Sequence, residues 1–282
     1  MSGDQVRAAA HRPDGDAAGL HVDTSAVDAW LAHGTLPSTW LVAAAAGDEA
    51  PPVAAQLPDP AVRDDVVRVR DALLDLMRPF RPAREAAWRA VLGSPEVGTA
   101  GAHVALSVGW PAPYDAGVRT APDGTAVVVL DVARLAAYGH RAVTGARQVL
   151  DHELAHVAIA RSWPLPPQAG HLERLDHLTF DEGLAHWLAL GDLPPFVPGA
   201  PGREGRAATA RAALAAAREL TGPEEQQAAR EAAAAADEFW DKFGCVAGLL
   251  AFADAEHRDQ LPGARRLAAE GWRGFSACLL DD

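Results

Sequence analysis

The sequence predicts an α+β fold in which helices precede and follow one small sheet. Apolar residues recur every three or four positions over residues 62–77, as on one face of an amphipathic helix. Two short runs of aliphatic and β-branched residues, His103–Val108 and Thr125–Leu130, are separated by turn residues, which is typical of strands. Beyond residue 144 the patterns are again helical.

Size, charge and cysteine content limit the possible functions. The 282 residues are 49% hydrophobic, enough for a substantial core, and carry a formal net charge of −13. This charge argues against nucleic acid or an anionic membrane as a partner. Two cysteines, Cys245 and Cys278, are too few for a disulfide framework. Because the first residues lack the apolar core of a secretory signal, and the longest apolar run (40–46) cannot span a bilayer, we expect a cytoplasmic protein.

The chain is predicted to begin with a polar segment and to continue into a helical one. Residues 1–19 are polar and contain Gly, Pro and Asp, so they are expected to form a disordered leader. Residues 20–98 are expected to form an N-terminal helical segment. Its clearest helix ends before Pro79 and is marked by the apolar residues Val62, Val66, Val69, Leu73, Leu76 and Met77. A second, short helix is predicted over 83–92, closed by Gly93.

The segment 99–191 is predicted to form the central unit of the fold. After the two strands, its apolar spacing indicates a helix over 144–160 that ends before Pro164. A proline-rich crossover over 162–176 is expected to lead into a further helix over 179–190.

The last segment, 192–282, is predicted to be a helical lobe packed against that central unit. Gly191–Gly205 contains several Pro and Gly residues and is expected to be a linker. The tetrapeptide from Thr221 to Glu224 resembles a capping box, which would open a helix running to about Glu238.

One pentapeptide in the predicted helix 144–160 carries metal-binding chemistry: residues 152–156 are His-Glu-Leu-Ala-His. Histidines four positions apart project from the same helix face, roughly 6 Å apart at their roots. Two such imidazoles can bind one zinc ion. Glu153 lies about 100° around the helix from His152. It would therefore border the metal without ligating it, which is the position of a general base.

This motif is more specific than its length suggests. The chain's own His and Glu frequencies give roughly a 2% chance of one such match. The alternative is a pair of ordinary histidines on an alanine-rich helix. A zinc ion that keeps one position open for water or substrate needs a third protein ligand. The extended metzincin pattern does not supply it, because that pattern needs Gly and His where this chain has Ile159 and Ser162.

A third ligand is suggested by the segment Phe180–Trp187, in which Glu182 begins the sequence Glu-Gly-Leu-Ala. Together with the His-Glu-x-x-His motif, this segment resembles the Glu-zincins, the thermolysin-like and aminopeptidase-like metallopeptidases of the peptidase MA-like group. In that family a second helix bearing Glu-Gly-x-Ala follows the zinc helix, and its Glu is the third ligand. The resemblance covers roughly residues 100–190.

The resemblance implies a fold and an activity. The fold would be zincin-like, with a small mixed sheet, an active-site helix that carries the His-Glu-x-x-His motif, and a helical C-terminal lobe. Residues 99–191 would be its catalytic core. By this resemblance His152, His156 and Glu182 would bind Zn²⁺, and Glu153 would be the general base for cleavage of a peptide or amide bond.

Alternatives remain open around the third ligand. The residues from Thr179 to Glu182 also match a capping box, in which Glu182 would merely accept the backbone N–H of Thr179. Asp181 or His186 would then be the metal ligand. If Glu182 is the ligand, His186 shares its helix face, and both Asp181 and His186 are candidates to support the ligands or to contact substrate.

Departures from the family pattern define the competing functions. The Glu-zincins often place an oxyanion-stabilising Tyr beyond the third ligand, whereas none follows Tyr138 here. Tyr138, Tyr114 and His186 are candidate substitutes, and the aminopeptidase segment Gly-x-Met-Glu-Asn is absent. The sequence thus predicts a zinc-dependent peptidase. The alternatives are a zincin-derived zinc-binding module with little turnover and a hydrolase of a small-molecule amide. By position, Ala126–Leu130 resembles the strand that forms the upper rim of the family's cleft, the alternative being an ordinary core strand.

Overall fold

The computed structural model describes residues 20–36, 57–110, 115–121, 124–191, 193–236 and 238–281. They form a mixed, mostly helical α/β fold with one four-stranded sheet, which confirms the predicted fold class at this level. The predicted leader, 1–19, lies outside the described residues.

The sheet contains both predicted strands and two that the sequence did not predict. Its strands are β1 (His21–Asp23), β2 (His103–Ser107), β3 (Ala116–Thr120) and β4 (Ala126–Asp131), in the order β1-β2-β4-β3. The pairs β1–β2 and β2–β4 are parallel, whereas β3 runs antiparallel to β4. The predicted strands are β2 and β4, neighbours in the sheet, and β3 forms one edge.

The helices surround one face of this sheet. In chain order they are α1 (Ser25–His33), α2 (Arg63–Leu76), α3 (Glu85–Leu92), α4 (Pro95–Gly98), α5 (Val132–Ala136), α6 (Ala142–Ser162), α7 (His171–Leu190), α8 (Arg203–Arg218), α9 (Pro223–Ala234), α10 (Phe243–Glu270) and α11 (Phe275–Cys278). The helices predicted over 62–77, 83–92 and 144–160 are thereby confirmed as α2, α3 and α6. None of the described helices is long and apolar enough to cross a membrane.

The predicted start of α7 is wrong, and the error bears on the metal site. The helix begins at His171 instead of residue 179. Its N-terminus is formed at Gly170, whose backbone N–H donates to the Glu173 carboxylate at 2.9 Å. Thr179 therefore lies inside the helix, so it is not a capping residue.

The predicted helix after Thr221 is shorter than expected. Helix α9 begins at Pro223 but ends at Ala234, before the expected Glu238. Gly222 is the N-cap residue and no side chain caps the helix, so the capping-box interpretation of Thr221 is wrong.

The two faces of the sheet pack differently. Side chains of Val104, Leu106, Val128 and Leu130 face the helices and join the main hydrophobic core. On the opposite face, Ala105, Val127 and Val129 pack with Trp110 in a small separate cluster. Strand β3 is paired only with β4 in the described sheet, so its other edge is free.

Helices α7 and α10 form the most extensive helix pair. Two glycines allow their backbones to touch: a Cβ built on Gly183 would lie 2.4 Å from the Cα of Gly248. A Cβ on Gly248 would lie 2.1 Å from the carbonyl oxygen of Thr179. Because no other residue type fits there, these glycines bring the start of α10 against the part of α7 that carries Glu182.

Candidate metal centre

Helix α6 presents two histidines to the cleft, one turn apart. The Nε2 atoms of His152 and His156 are 2.9 Å apart, and the side chains are 16% and 14% exposed. The rings meet edge to face with centroids 4.5 Å apart. Both nitrogens therefore face the same point.

Helix α7 brings a carboxylate to the same point. The Oε2 atom of Glu182 is 3.8 Å from Nε2 of His152, and its Oε1 is 3.8 Å from Nε2 of His156. The ligand atoms of these three residues all lie within 4.8 Å of one another. Because Thr179 is inside α7, the alternative in which Glu182 only caps the helix is excluded.

These distances fit a zinc ion. Zinc binds histidine nitrogen and carboxylate oxygen at about 2.0–2.2 Å, so two ligand atoms on one ion are separated by at most about 4.2 Å. The three separations, 2.9, 3.8 and 3.8 Å, are within this limit. Two imidazoles and one carboxylate are also the donor set of known catalytic zinc sites.

The electrostatics of the site favour a cation. Burial lowers the pKa of His156, but the carboxylates of Asp181, Glu182 and Glu153 raise it more, to about 10. The pKa of His152 lies well below its usual value because of burial and of the neighbouring His186 and His156. Three carboxylates thus stabilise positive charge between the two rings.

Asp181 orients one of the two imidazoles. Its Oδ1 lies 2.9 Å from Nδ1 of His156, so that Nδ1–H donates to the carboxylate and Nε2 is left free for a metal. Nδ1 of His152 faces the backbone oxygen of Ala185, but the two atoms do not meet the geometric criteria for a hydrogen bond. Asp181 therefore supports a ligand, one of the two roles that the sequence left open for it.

Substituting Asp181 by asparagine is expected to weaken zinc binding about 10- to 100-fold, because an amide neither fixes the His156 tautomer nor raises its basicity. Competition with a chromophoric chelator measures this affinity. The control is Asp64→Asn, at an exposed position on α2. Equal affinities of Asp181→Asn and the control variant would contradict the role of Asp181.

Glu153 lies beside the metal-binding group without joining it. The residue is 9% exposed and lines the cleft. Burial raises the pKa of its carboxyl group to about 7, although the charge of His156 opposes the shift. A carboxylate with such a pKa is suited to accept and return a proton near neutral pH.

His186 and Cys245 both contact Glu182, and the His186 ring also lies against the His152 ring, with centroids 4.1 Å apart. Nδ1 of His186 is 2.8 Å from the backbone oxygen of Glu182 and 3.4 Å from its Oε2. The buried thiol of Cys245 donates to the same Oε2 at 3.4 Å. The ligand atoms of Glu182, His186 and Cys245 form a second group within 4.8 Å of one another. Glu182 therefore belongs to both groups.

Sequence reasoning missed the contact of the buried Cys245 with Glu182. It also missed Lys242, the only lysine of the chain, which lines the cleft at the start of α10. The lysine charge lowers the pKa of His152 and of His186, although burial is the main cause of both shifts. No local motif marks either residue, because both reach the site through the α7–α10 contact.

The cleft above the metal group has a volume of about 1110 Å³. Strand β3 forms one wall, and Ala234, Ala235, Ala236 and Lys242 contribute to another. The strand over Ala126–Leu130, assigned to the rim by its resemblance, is instead β4, which lies between β2 and β3. The strand at the rim is β3, which lines the cleft and is an edge strand of the sheet that the described residues form.

The candidate tyrosines do not supply a free hydroxyl within the described residues. Tyr138 lines the cleft, but its hydroxyl donates to Asp115, and burial together with Asp115 raises its pKa. Tyr114 lies outside the described residues.

No protein-family model, curated protein sequence or solved structure matches this chain. The function is therefore inferred from the site itself. That site combines a pair of imidazoles and a carboxylate converging on one point, a buried carboxylate beside them, and a long cleft bordered by a strand edge. Together these groups are equipped to bind a divalent cation and to move a proton next to it.

Proposed function

We propose that this protein is a zinc-dependent hydrolase of the zincin type that cleaves peptide or amide bonds. The observation that carries the proposal is the convergence of His152, His156 and Glu182 from two helices, within 4.8 Å of one another. Glu182 is distant in sequence from the two histidines, so its place beside them is independent of the His-Glu-x-x-His motif.

Each residue has a role that follows from its position. His152, His156 and Glu182 would hold the zinc, and Asp181 would keep His156 in the required tautomer. When bound, zinc supplies Lewis acidity that acidifies water and polarises a carbonyl group. Glu153 accepts the proton from water and delivers it to the leaving nitrogen, a transfer favoured by its pKa of about 7.

The cleft favours a peptide over a small molecule as substrate. Its volume of about 1110 Å³ exceeds the usual range for small-molecule pockets. Its β3 wall is a strand edge without a partner strand among the described residues, and an extended peptide can add to its outward backbone groups other than the Val118 carbonyl, which Arg119 already occupies.

A second candidate function is a zinc-binding module without turnover. It is favoured by one observation, that the hydroxyl of Tyr138 is engaged by Asp115 and thus cannot stabilise an oxyanion. In this case the metal would be retained but no peptide would be cleaved.

The test begins with the metal. We expect the purified full chain to bind one zinc ion per molecule, measured by mass spectrometry of the metal after dialysis. His152→Ala, His156→Ala and Glu182→Gln should each lose zinc, because each removes one of only three protein ligands. The control, His140→Ala, changes an exposed histidine and should keep it.

Activity is then measured on a library of quenched fluorescent peptides. Hydrolysis should stop on removal of zinc by a chelator and return when zinc is added. A well-folded chain that binds no zinc would contradict both candidate functions. Tight zinc binding without hydrolysis would favour the second.

A further inference from the structure

Arg119 lies on the rim strand β3, whose outer edge is free in the described sheet. Asp131 donates its backbone N–H to Asp115, and Ala121 donates to Thr125, each at 2.8 Å. In an antiparallel pair, hydrogen-bonded positions alternate along the strand. With the β3–β4 register, the odd-numbered residues of β3 are therefore the ones whose backbone groups hydrogen-bond to β4. The backbone groups of the even-numbered residues, including Val118, point out of the free edge toward the cleft.

The side chain of Arg119 reaches round to this free edge. It leaves β3 on the face that carries its partner Val127, yet its Nη1 donates to the backbone oxygen of Val118 at 3.0 Å. Its guanidinium also lies over the ring of Trp110, 5.1 Å from the centroid. Gly117, two positions earlier on this face, leaves room: a Cβ there would be 3.2 Å from Nη1. The guanidinium is thus held in one place before any ligand binds.

This guanidinium forms no ion pair in the part of the chain that the structure describes. Arg84, by contrast, pairs with Glu256 at 2.6 Å. Arg63 on α2 likewise lies over a tryptophan ring and donates to a backbone oxygen, but it does not line the cleft. What distinguishes Arg119 is therefore that a fixed guanidinium without an ion pair faces the cleft.

Arg119 also lies close to the catalytic groups. It lines the same cleft as Glu153 and the metal-binding residues. Its positive charge lowers the pKa of Glu153 and so partly opposes the effect of burial. Lys242, on another wall, likewise has no ion pair within the described ranges, which adds positive potential to the cleft.

We propose that Arg119 binds a carboxylate group of the substrate, so that this cleft selects acidic peptides. An Asp or Glu side chain and a peptide C-terminus both present the same planar pair of oxygens, and the experiment below separates these two sources. The guanidinium matches this pair with two parallel hydrogen bonds and is already ordered. The inference rests on the proposed peptidase function for the reaction but predicts binding by itself.

The experiment compares matched peptides on the zinc-loaded full chain. Peptides blocked at both ends carry Glu or Asp in one member of each pair and Gln or Asn in the other. A third set has a neutral sequence with either a free or an amidated C-terminus, which separates the two carboxylate sources. We expect kcat/KM to favour one carboxylate set about tenfold or more, the usual effect of a charged hydrogen-bonded pair.

Variants of Arg119 identify the residue responsible. Arg119→Met should remove the preference, so that kcat/KM becomes equal for the acidic and neutral members of each pair. Arg119→Glu should shift the preference toward Lys- and Arg-containing peptides. Arg119→Lys should keep part of it. The matched control is Arg273→Met, since Arg273 also stacks on a tryptophan, Trp272, at 4.4 Å, but does not line the cleft.

If no peptide is cleaved, the proposed function fails but the inference is still tested. Binding of the same blocked peptides to the zinc-loaded chain is then measured by calorimetry. Carboxylate-selective binding that Arg119→Met abolishes supports the inference. Equal binding or cleavage of the acidic and neutral members, or an equal loss for both in Arg119→Met, overturns it.

Discussion

Replacing Glu153 by glutamine should reduce hydrolysis about 10²- to 10⁴-fold and leave zinc bound, provided the proposed function is correct. General acid–base catalysis typically contributes this factor, and an amide cannot accept the proton. The substitution is nearly isosteric, and Glu153 is not one of the three residues whose ligand atoms converge. Burial already raises its pKa to about 7, so a neutral side chain is tolerated there.

The measurement is kcat/KM on the best peptide from the library, together with zinc content and thermal unfolding. Glu204→Gln is the matched control, because it makes the same chemical change at an exposed position of α8. A Glu153→Gln variant as active as the control would rule out Glu153 as the general base. Loss of zinc in Glu153→Gln would instead make Glu153 a metal ligand.

The parts of this site that the sequence predicted are local in origin. His152 and His156 lie on one helix, so their proximity follows from helical geometry alone. The approach of Glu182 to these histidines could be predicted only from the family resemblance, because no periodic pattern relates residues on separate helices. The structure places it 3.8 Å from both rings.

The parts that the sequence did not predict depend on tertiary contacts. Strand β3 is short, contains Gly and Arg, and is recognisable only by its pairing with β4. The first turns of α7 are rich in charged residues that hide the helical period. One of them, Asp176, is buried and accepts hydrogen bonds from Arg218 and from the backbone of Gly274 and Ser276. Such long-range partners leave no signal near residue 176 in the sequence.

The glycine of the Glu-Gly-Leu-Ala segment shows how a motif can be noticed without its reason. The sequence singled out Glu182 for its chemistry and assigned no role to Gly183. The structure supplies one, since Gly183 meets Gly248 where α7 and α10 touch. That contact brings Cys245 within 3.4 Å of Glu182 and Lys242 to the cleft.

Replacing Gly248 by alanine is expected to destabilise the protein by about 3 kcal/mol or more. The new Cβ would lie 2.1 Å from the backbone oxygen of Thr179 and 2.7 Å from the Cα of Gly183. Both are backbone atoms, which cannot move away by changing rotamer, so the two helices must separate. The cost of such overpacking exceeds the gain of about 1 kcal/mol that alanine brings to a helix interior.

A gain in stability is expected instead for Gly205→Ala on α8, where a new Cβ meets nothing within 4 Å. This control should be more stable than the unmodified chain by about 0.5–1 kcal/mol, since only backbone entropy changes. Urea unfolding followed by circular dichroism measures both variants, and equal midpoints for the two would refute the close-contact explanation. Because separation of α7 and α10 also displaces Glu182, zinc affinity should fall in Gly248→Ala even in urea-free buffer, whereas Gly205→Ala should bind zinc normally.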